Sequence, residues 1–217
     1  KGLDKLAPRI QGWGGNGATN AVYGKNAGTF SIYGDFPDWN FIDPLEIVYR
    51  RFINNMDIVN IRKVAIIGRR VKETLFDKEE DPLDKFIRVN GVYLKVVGVF
   101  HSKKGGGQSD REEQNIHIPF TTVQRIYNYG DIVGWFALTS RPDVSVASVA
   151  EEMMQLLKKQ HKISPDDDRA IGHFNVEKEF KKLSGLFTGI NLLIWVVGIG
   201  TLIAGAIGVS NIMLVVI

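Results

Sequence analysis

The chain has 217 residues, 44% hydrophobic and 24% charged, with 27 basic and 24 acidic side chains, a formal net charge of +3 and no cysteine. This composition excludes a disordered chain and a disulfide-stapled miniprotein, and the length suffices for a globular domain with its own core. Thiol catalysis and cysteine zinc sites are removed as well, and no basic stripe with interleaved aromatics supports nucleic-acid binding.

In chain order, residues 29–33 and 64–67 are short β-like runs with Gly and Asn around them. Residues 69–76 have the helical spacing of Val71 and Leu75, closed by an acidic turn that contains Pro82. Residues 86–89 and 92–100, separated by Asn90 and Gly91, predict a β-hairpin, because Asn-Gly supplies the two positive-φ residues of a type I′ turn. Residues 101–114 are polar and contain Gly105, Gly106 and Gly107, which predicts a mobile surface loop. Ile116, Ile118 and Phe120 alternate as another strand, and residues 134–139 predict one more. Ser145 can cap a helix lined by Val146, Val149, Met153, Leu156 and Leu157, and residues 171–176 read as a strand running into a final helix. The β-α-β order over residues 134–176 predicts an α+β fold, with a β-rich portion packed beside that unit.

Every charged residue lies before position 183, so the last 35 residues carry none. Within them, residues 192–217 hold 19 apolar side chains, four Gly, Thr201, Ser210 and Asn211. About 20 apolar residues cross a ~30 Å hydrocarbon core, so this segment reads as a transmembrane helix, and the lipid bilayer is a predicted partner. Trp195 fits the membrane interface, where aromatic rings concentrate. Gly200, Ala204 and Gly208 recur every four residues and form a candidate face for close helix packing.

Gly12-Trp13-Gly14-Gly15-Asn16-Gly17 matches G-x-G-x-x-G with Asp35 about 20 residues on, yet no helical period follows it, so it reads as a loop and not a dinucleotide site. Gly24-Lys25 is followed by Asn26, so no Walker sequence is present. His101, His117, His161 and His173 stand at no metal-ligand spacing and read as surface or hydrogen-bonded residues, while Asp166-Asp167-Asp168 after Pro165 reads as a turn. No catalytic, cofactor or metal residues are predicted.

Val64-Ala65-Ile66-Ile67-Gly68, Leu75-Phe76, Asp81-Pro82-Leu83-Asp84-Lys85, Ile87-Arg88-Val89-Asn90-Gly91, Val96-Val97-Gly98-Val99 and Ile118-Pro119-Phe120-Thr121-Thr122 come in an order that resembles the periplasmic core domain of MacB/FtsX-type ABC transporter permeases. Gly198-Ile199-Gly200, Gly205, Ile207-Gly208 and Asn211-Ile212-Met213-Leu214 resemble the membrane region that follows it. Arg50 stands where the family pattern has glycine ahead of Arg51-Phe52. The resemblance implies a piece of a longer permease. Residues 1–182 would be an extracytoplasmic, porter-like domain with a β-rich inserted lobe at about 50–120 and a β-α-β unit at about 134–176; residues 183–217 would be the stalk end and transmembrane helix. It implies the bacterial inner membrane, an ABC ATPase domain or subunit as partner, a homodimer or paired permease, a periplasmic adaptor, and export or efflux coupled to ATP hydrolysed elsewhere. An FtsX-like regulator that activates a cell-wall hydrolase is the alternative it leaves open. Lys178, Lys181 and Lys182 do not orient the chain, because the positive-inside rule fails for long translocated domains.

Overall fold

A computed structural model describes residues 2–12, 18–167 and 169–216. By internal contacts it divides into two compact units, Lys1–Ser145 and Val146–Ile217. In the first unit β1 (Leu3–Gln11), β2 (Ala18–Tyr23) and β3 (Asn26–Asp35) are followed by α1 (Trp39–Ile42), β4 (Glu46–Arg50), α2 (Asn55–Val59), β5 (Val64–Gly68) and α3 (Arg69–Leu75). Then come β6 (Phe86–Val89), β7 (Val92–His101), α4 (Gly107–Glu112), β8 (Asn115–Pro119), α5 (Phe120–Ile126) and β9 (Trp135–Ser140). The second unit holds α6 (Val146–Gln160) and α7 (Val176–Val216).

The strands form one mixed sheet in the order β2-β6-β7-β5-β8-β3-β1-β9, with β4 beside β7. Because β2 also pairs with β3, the six strands from β2 to β3 close into a circuit. Strands of the expected 50–120 lobe therefore share a sheet with the N-terminal strands, through β2–β6 and the parallel β3–β8 pair. β5 lies between β7 and β8 and is buried along its whole length, which explains its unbroken apolar run Val64-Ala65-Ile66-Ile67. Its side chains join Ile32, Leu94, Phe100, Ile116 and Ile118 in the core, and α3 adds Val71 and Leu75 from the buried stripe that its spacing predicts.

The backbone takes positive φ at the hairpin residues and at Arg50. Asn90 (φ 47°) and Gly91 (φ 80°) link Val89 directly to its cross-strand partner Val92. Arg50, at the end of β4, adopts φ 56°, the left-handed region that favours glycine, and Arg50 Nη2 meets Asp84 Oδ2 at 2.7 Å.

Two expectations are corrected. Residues 101–114 are not a free loop: residues 107–112 form α4, and Glu113 is buried, bonded to the Ser102 N–H at 3.2 Å and the Ser109 hydroxyl at 3.1 Å. Residues 171–175 form no strand. Gly172 interrupts the run, and the Asn175 side chain accepts the Lys178 N–H at 3.1 Å, which makes this segment the cap of α7 and leaves its backbone no ladder partner. Residues 18–23, which follow the glycine-rich stretch, are a strand and not a helix; residues 13–17 lie outside the described residues.

Candidate functional site

The register of three neighbouring strands builds a charged cluster inside the first unit. Arg9 on β1 is the cross-strand partner of Asp35 on β3, and Tyr33, two residues earlier on β3, is the partner of His117 on β8. Residues i and i+2 of a strand share a face, so all four side chains point to one side. Arg9 Nε lies 2.7 Å from Asp35 Oδ1, and His117 Nδ1 lies 2.5 Å from Asp35 Oδ2, with Asp35 0% exposed. The Arg9 guanidinium sits 3.9 Å from the Tyr33 ring centre and 3.8 Å from that of Trp39, a cation–π sandwich that substitutes for lost water. His117 packs edge-on to Phe100 at 5.0 Å, and its Nε2 has no hydrogen-bond partner among the described residues. The Arg9–Asp35–His117 cluster ties β1, β3 and β8 together.

A second cluster fixes the short helix α2. Asn54 and Asp57 form a capping box: the Asn54 side chain accepts the Asp57 N–H at 3.0 Å, and the Asp57 carboxylate accepts the Asn54 N–H at 3.0 Å. Arg51 binds that carboxylate through two nitrogens at 2.5 and 3.1 Å, and Arg62 approaches it to 3.6 Å. Burial pushes the Asp57 carboxyl up, but the Arg51 hydrogen bonds, the Asn54 N–H and the charges of Arg51 and Arg62 outweigh it and hold the group below its ordinary value. A carboxyl lowered on folding stabilises the native state above its unfolded value of about 3.9 and loses that contribution as pH falls through the lowered one. The stability gap between the wild-type chain and Asp57→Asn should thus be widest above about pH 4 and close as acid is added. Thermal melts of both proteins across pH 2–6 measure it; a gap independent of pH would show that Asp57 is not a charged partner of the arginines.

The third feature is α7, 41 residues long. Its first part carries Glu177, Lys178, Glu179, Lys181 and Lys182, with Lys182 Nζ 2.8 Å from Glu179 Oε1. From Val176 onward, Val176, Phe180, Leu183, Phe187 and Ile190 recur at alternating spacings of four and three, and all are exposed. This is the heptad spacing of a helix seam. Continued at the same spacing, it passes Ile194, Val197 and Thr201 and reaches Ala204 and Gly208, two of the three predicted packing residues; Gly200 lies beside it. Trp195 is 68% exposed on the same helix. Residues Val176–Ile207 are long and apolar enough to cross a membrane, and none of their most apolar stretch is buried.

Ala204 and Gly208 fall at the same spacing along α7 as Val176, Phe180, Leu183, Phe187 and Ile190, and Asn90 and Gly91 form the tip of the β6–β7 hairpin. Sequence reasoning missed the Arg9–Asp35–His117 cluster, whose members lie 26 and 82 positions apart and carry no shared motif. Among the described residues no group of three His, Cys, Asp or Glu is placed to hold a metal ion.

A family model described as the MacB-like periplasmic core domain matches residues 3–156. The macrolide export ATP-binding/permease protein MacB of a Shewanella species is 29% identical over 219 residues, covering 98% of this chain and 31% of that protein. The protein of the same name from Bdellovibrio bacteriovorus is 27% identical over 172 residues, 77% of this chain and 26% of the relative. The chain thus spans about a third or less of the length of these relatives. Among solved structures, the periplasmic region of MacB from Actinobacillus actinomycetemcomitans aligns with a TM-score of 0.64 at 21% identity, covering 75% of this chain and 70% of that one.

Proposed function

This chain belongs to the family of MacB-like periplasmic core domains, and on that premise we propose that it is the outer domain and following membrane helix of an ABC-type export permease. The observation that carries the proposal is the continuity of the family domain with a helix in the same chain whose most apolar stretch is nowhere buried. A rigid helix that leaves the membrane as a stalk can transmit displacement to the domain above it. In this reading residues 1–182 are extracytoplasmic, the membrane is the bacterial inner membrane, and ATP is hydrolysed by a separate domain or chain whose motion reaches the outer domain through α7. A paired permease copy and a periplasmic adaptor complete the assembly. This chain's residues supply packing and coupling and no chemical step.

The reading requires α7 to lie tightly against another membrane helix. Membrane helices gain little from hydrophobicity and associate through close backbone approach at small residues. Ala204→Ile or Gly208→Ile in the complete permease should therefore abolish export while leaving membrane insertion intact, because Ile favours the bilayer at least as much as Ala or Gly. Leu202→Ile, which preserves side-chain volume on another face, should transport normally. Export assays at matched membrane levels decide the matter. If both substitutions transport like the Leu202→Ile control, α7 does not couple through this face. If loss of the complete gene leaves compound export unchanged and disturbs cell-wall hydrolysis, the export reading itself fails.

A further inference from the structure

The segment from Arg50 to Lys63 carries Arg50, Arg51, Arg62 and Lys63 against one carboxylate, that of Asp57. Arg50 is compensated by Asp84 at 2.7 Å. Arg51 and Arg62 share Asp57, so the ground around α2 keeps a positive excess. Five residues cannot sustain a helix alone, and α2 is clamped from outside its own backbone. The Thr121 hydroxyl donates to the Ile58 carbonyl at 2.7 Å, the Thr122 hydroxyl donates to the Arg62 carbonyl at 2.9 Å, and the Arg62 N–H closes on the Asp57 carbonyl at 2.9 Å. Ile61 is held at φ 48°, a left-handed conformation that a β-branched residue rarely adopts. This framework buries the polar Asp57 and presents apolar side chains outward: Met56 is 56% exposed and Val59 74%. They stand three residues apart and so on one side of the helix.

We infer that the α2 tip is a preorganised docking knob for another protein, one that offers an apolar pocket rimmed by carboxylates. Met56 and Val59 are the anchors, and Arg51, Arg62 and Lys63, which flank α2 in the chain, select an acidic rim and accelerate encounter. The capping box, the two threonines and the Asp57 ion pairs have already ordered the knob in the free chain, which removes that entropy loss from binding. A discrete two-residue knob on a clamped helix suits a pocket, whereas a lipid surface calls for a long amphipathic face.

The test places a photo-reactive amino acid at position 56 or 59 of the complete permease in its native membranes, with position 93, which carries the exposed Tyr93 elsewhere on the domain, as reference. The expected result at both knob positions is one protein adduct whose crosslinked peptide carries Asp or Glu beside apolar residues. Its yield should drop about fivefold or more with Lys63→Glu and at high salt, as electrostatic steering requires. Unchanged melting of the Lys63→Glu protein keeps this readout separate from folding. Adducts to lipid, to a second copy of this chain or to a peptide without carboxylates would overturn the inference, as would a yield no higher than at position 93.

Discussion

Asp35→Ala should destabilise the protein by about 3–5 kcal/mol, the usual effect of removing one partner from a buried ion pair and leaving the other charge uncompensated. Asp35 is wholly buried, pairs with the Arg9 guanidinium and is the hydrogen-bond partner of His117 Nδ1. Without it, the Arg9 guanidinium keeps its aromatic contacts with Tyr33 and Trp39 and has lost its counter-charge, and the His117 Nδ1 loses its partner in a pocket already lacking one for Nε2. The first unit should loosen where β1 meets β3, because Arg9 and Asp35 are cross-strand partners there. Denaturant melts followed by near-ultraviolet dichroism, to which Trp39 and Trp135 contribute beside Arg9, measure both effects. Asp38→Ala is the comparison, since it removes an exposed pair with Lys5 at 3.7 Å, a class of interaction with little effect on stability. Equal melting of the two variants would mean that the buried cluster does not hold the strands.

Gly68→Ala should be comparably damaging, for a reason unconnected with backbone freedom. Gly68 has φ −71° and ψ 160°, which alanine adopts readily. The obstacle is space. A Cβ there would lie 2.1 Å from the Glu113 carbonyl oxygen and 2.5 Å from its carbonyl carbon, both backbone atoms. Either β5 or the end of the α4 segment must move, and the Glu113 carboxylate is the group that anchors Ser102 and Ser109. A loss of about 3 kcal/mol, the upper part of the usual overpacking range, is expected. Hydrogen exchange should show lost protection centred on residues 101–114, as local opening predicts. Gly105→Ala meets no atom within 4 Å and should be close to neutral. If Gly68→Ala melts with Gly105→Ala, the close approach of β5 to Glu113 is wrong.

The features legible in the sequence are those whose physics is local or compositional. The β6–β7 hairpin follows from two residues that tolerate positive φ between alternating apolar runs. The buried β5 follows from a continuous apolar stretch, α3 from the spacing of Val71 and Leu75, and the membrane helix from 35 residues without a charge. The order of motifs across residues 50–217 carried the family resemblance, and the family model covers residues 3–156. Tertiary structure alone decided the rest. Residues 171–175 have strand-like composition, yet a strand exists only where a neighbouring ladder accepts it, and Asn175 instead caps α7. The polar stretch 101–114 reads as free loop, yet its own Glu113 is buried and bonded to Ser102 and Ser109. Closure of the sheet through β2–β6 and β3–β8 joins segments far apart in the chain, and no residue in either segment names its partner. The Arg9–Asp35–His117 cluster is the clearest case: three ordinary polar residues become one buried unit only because the registers of β1, β3 and β8 turn them to the same face. Charge, periodicity and turn chemistry are written residue by residue, whereas pairing between distant strands is set by which arrangement buries the most apolar surface with every backbone group bonded.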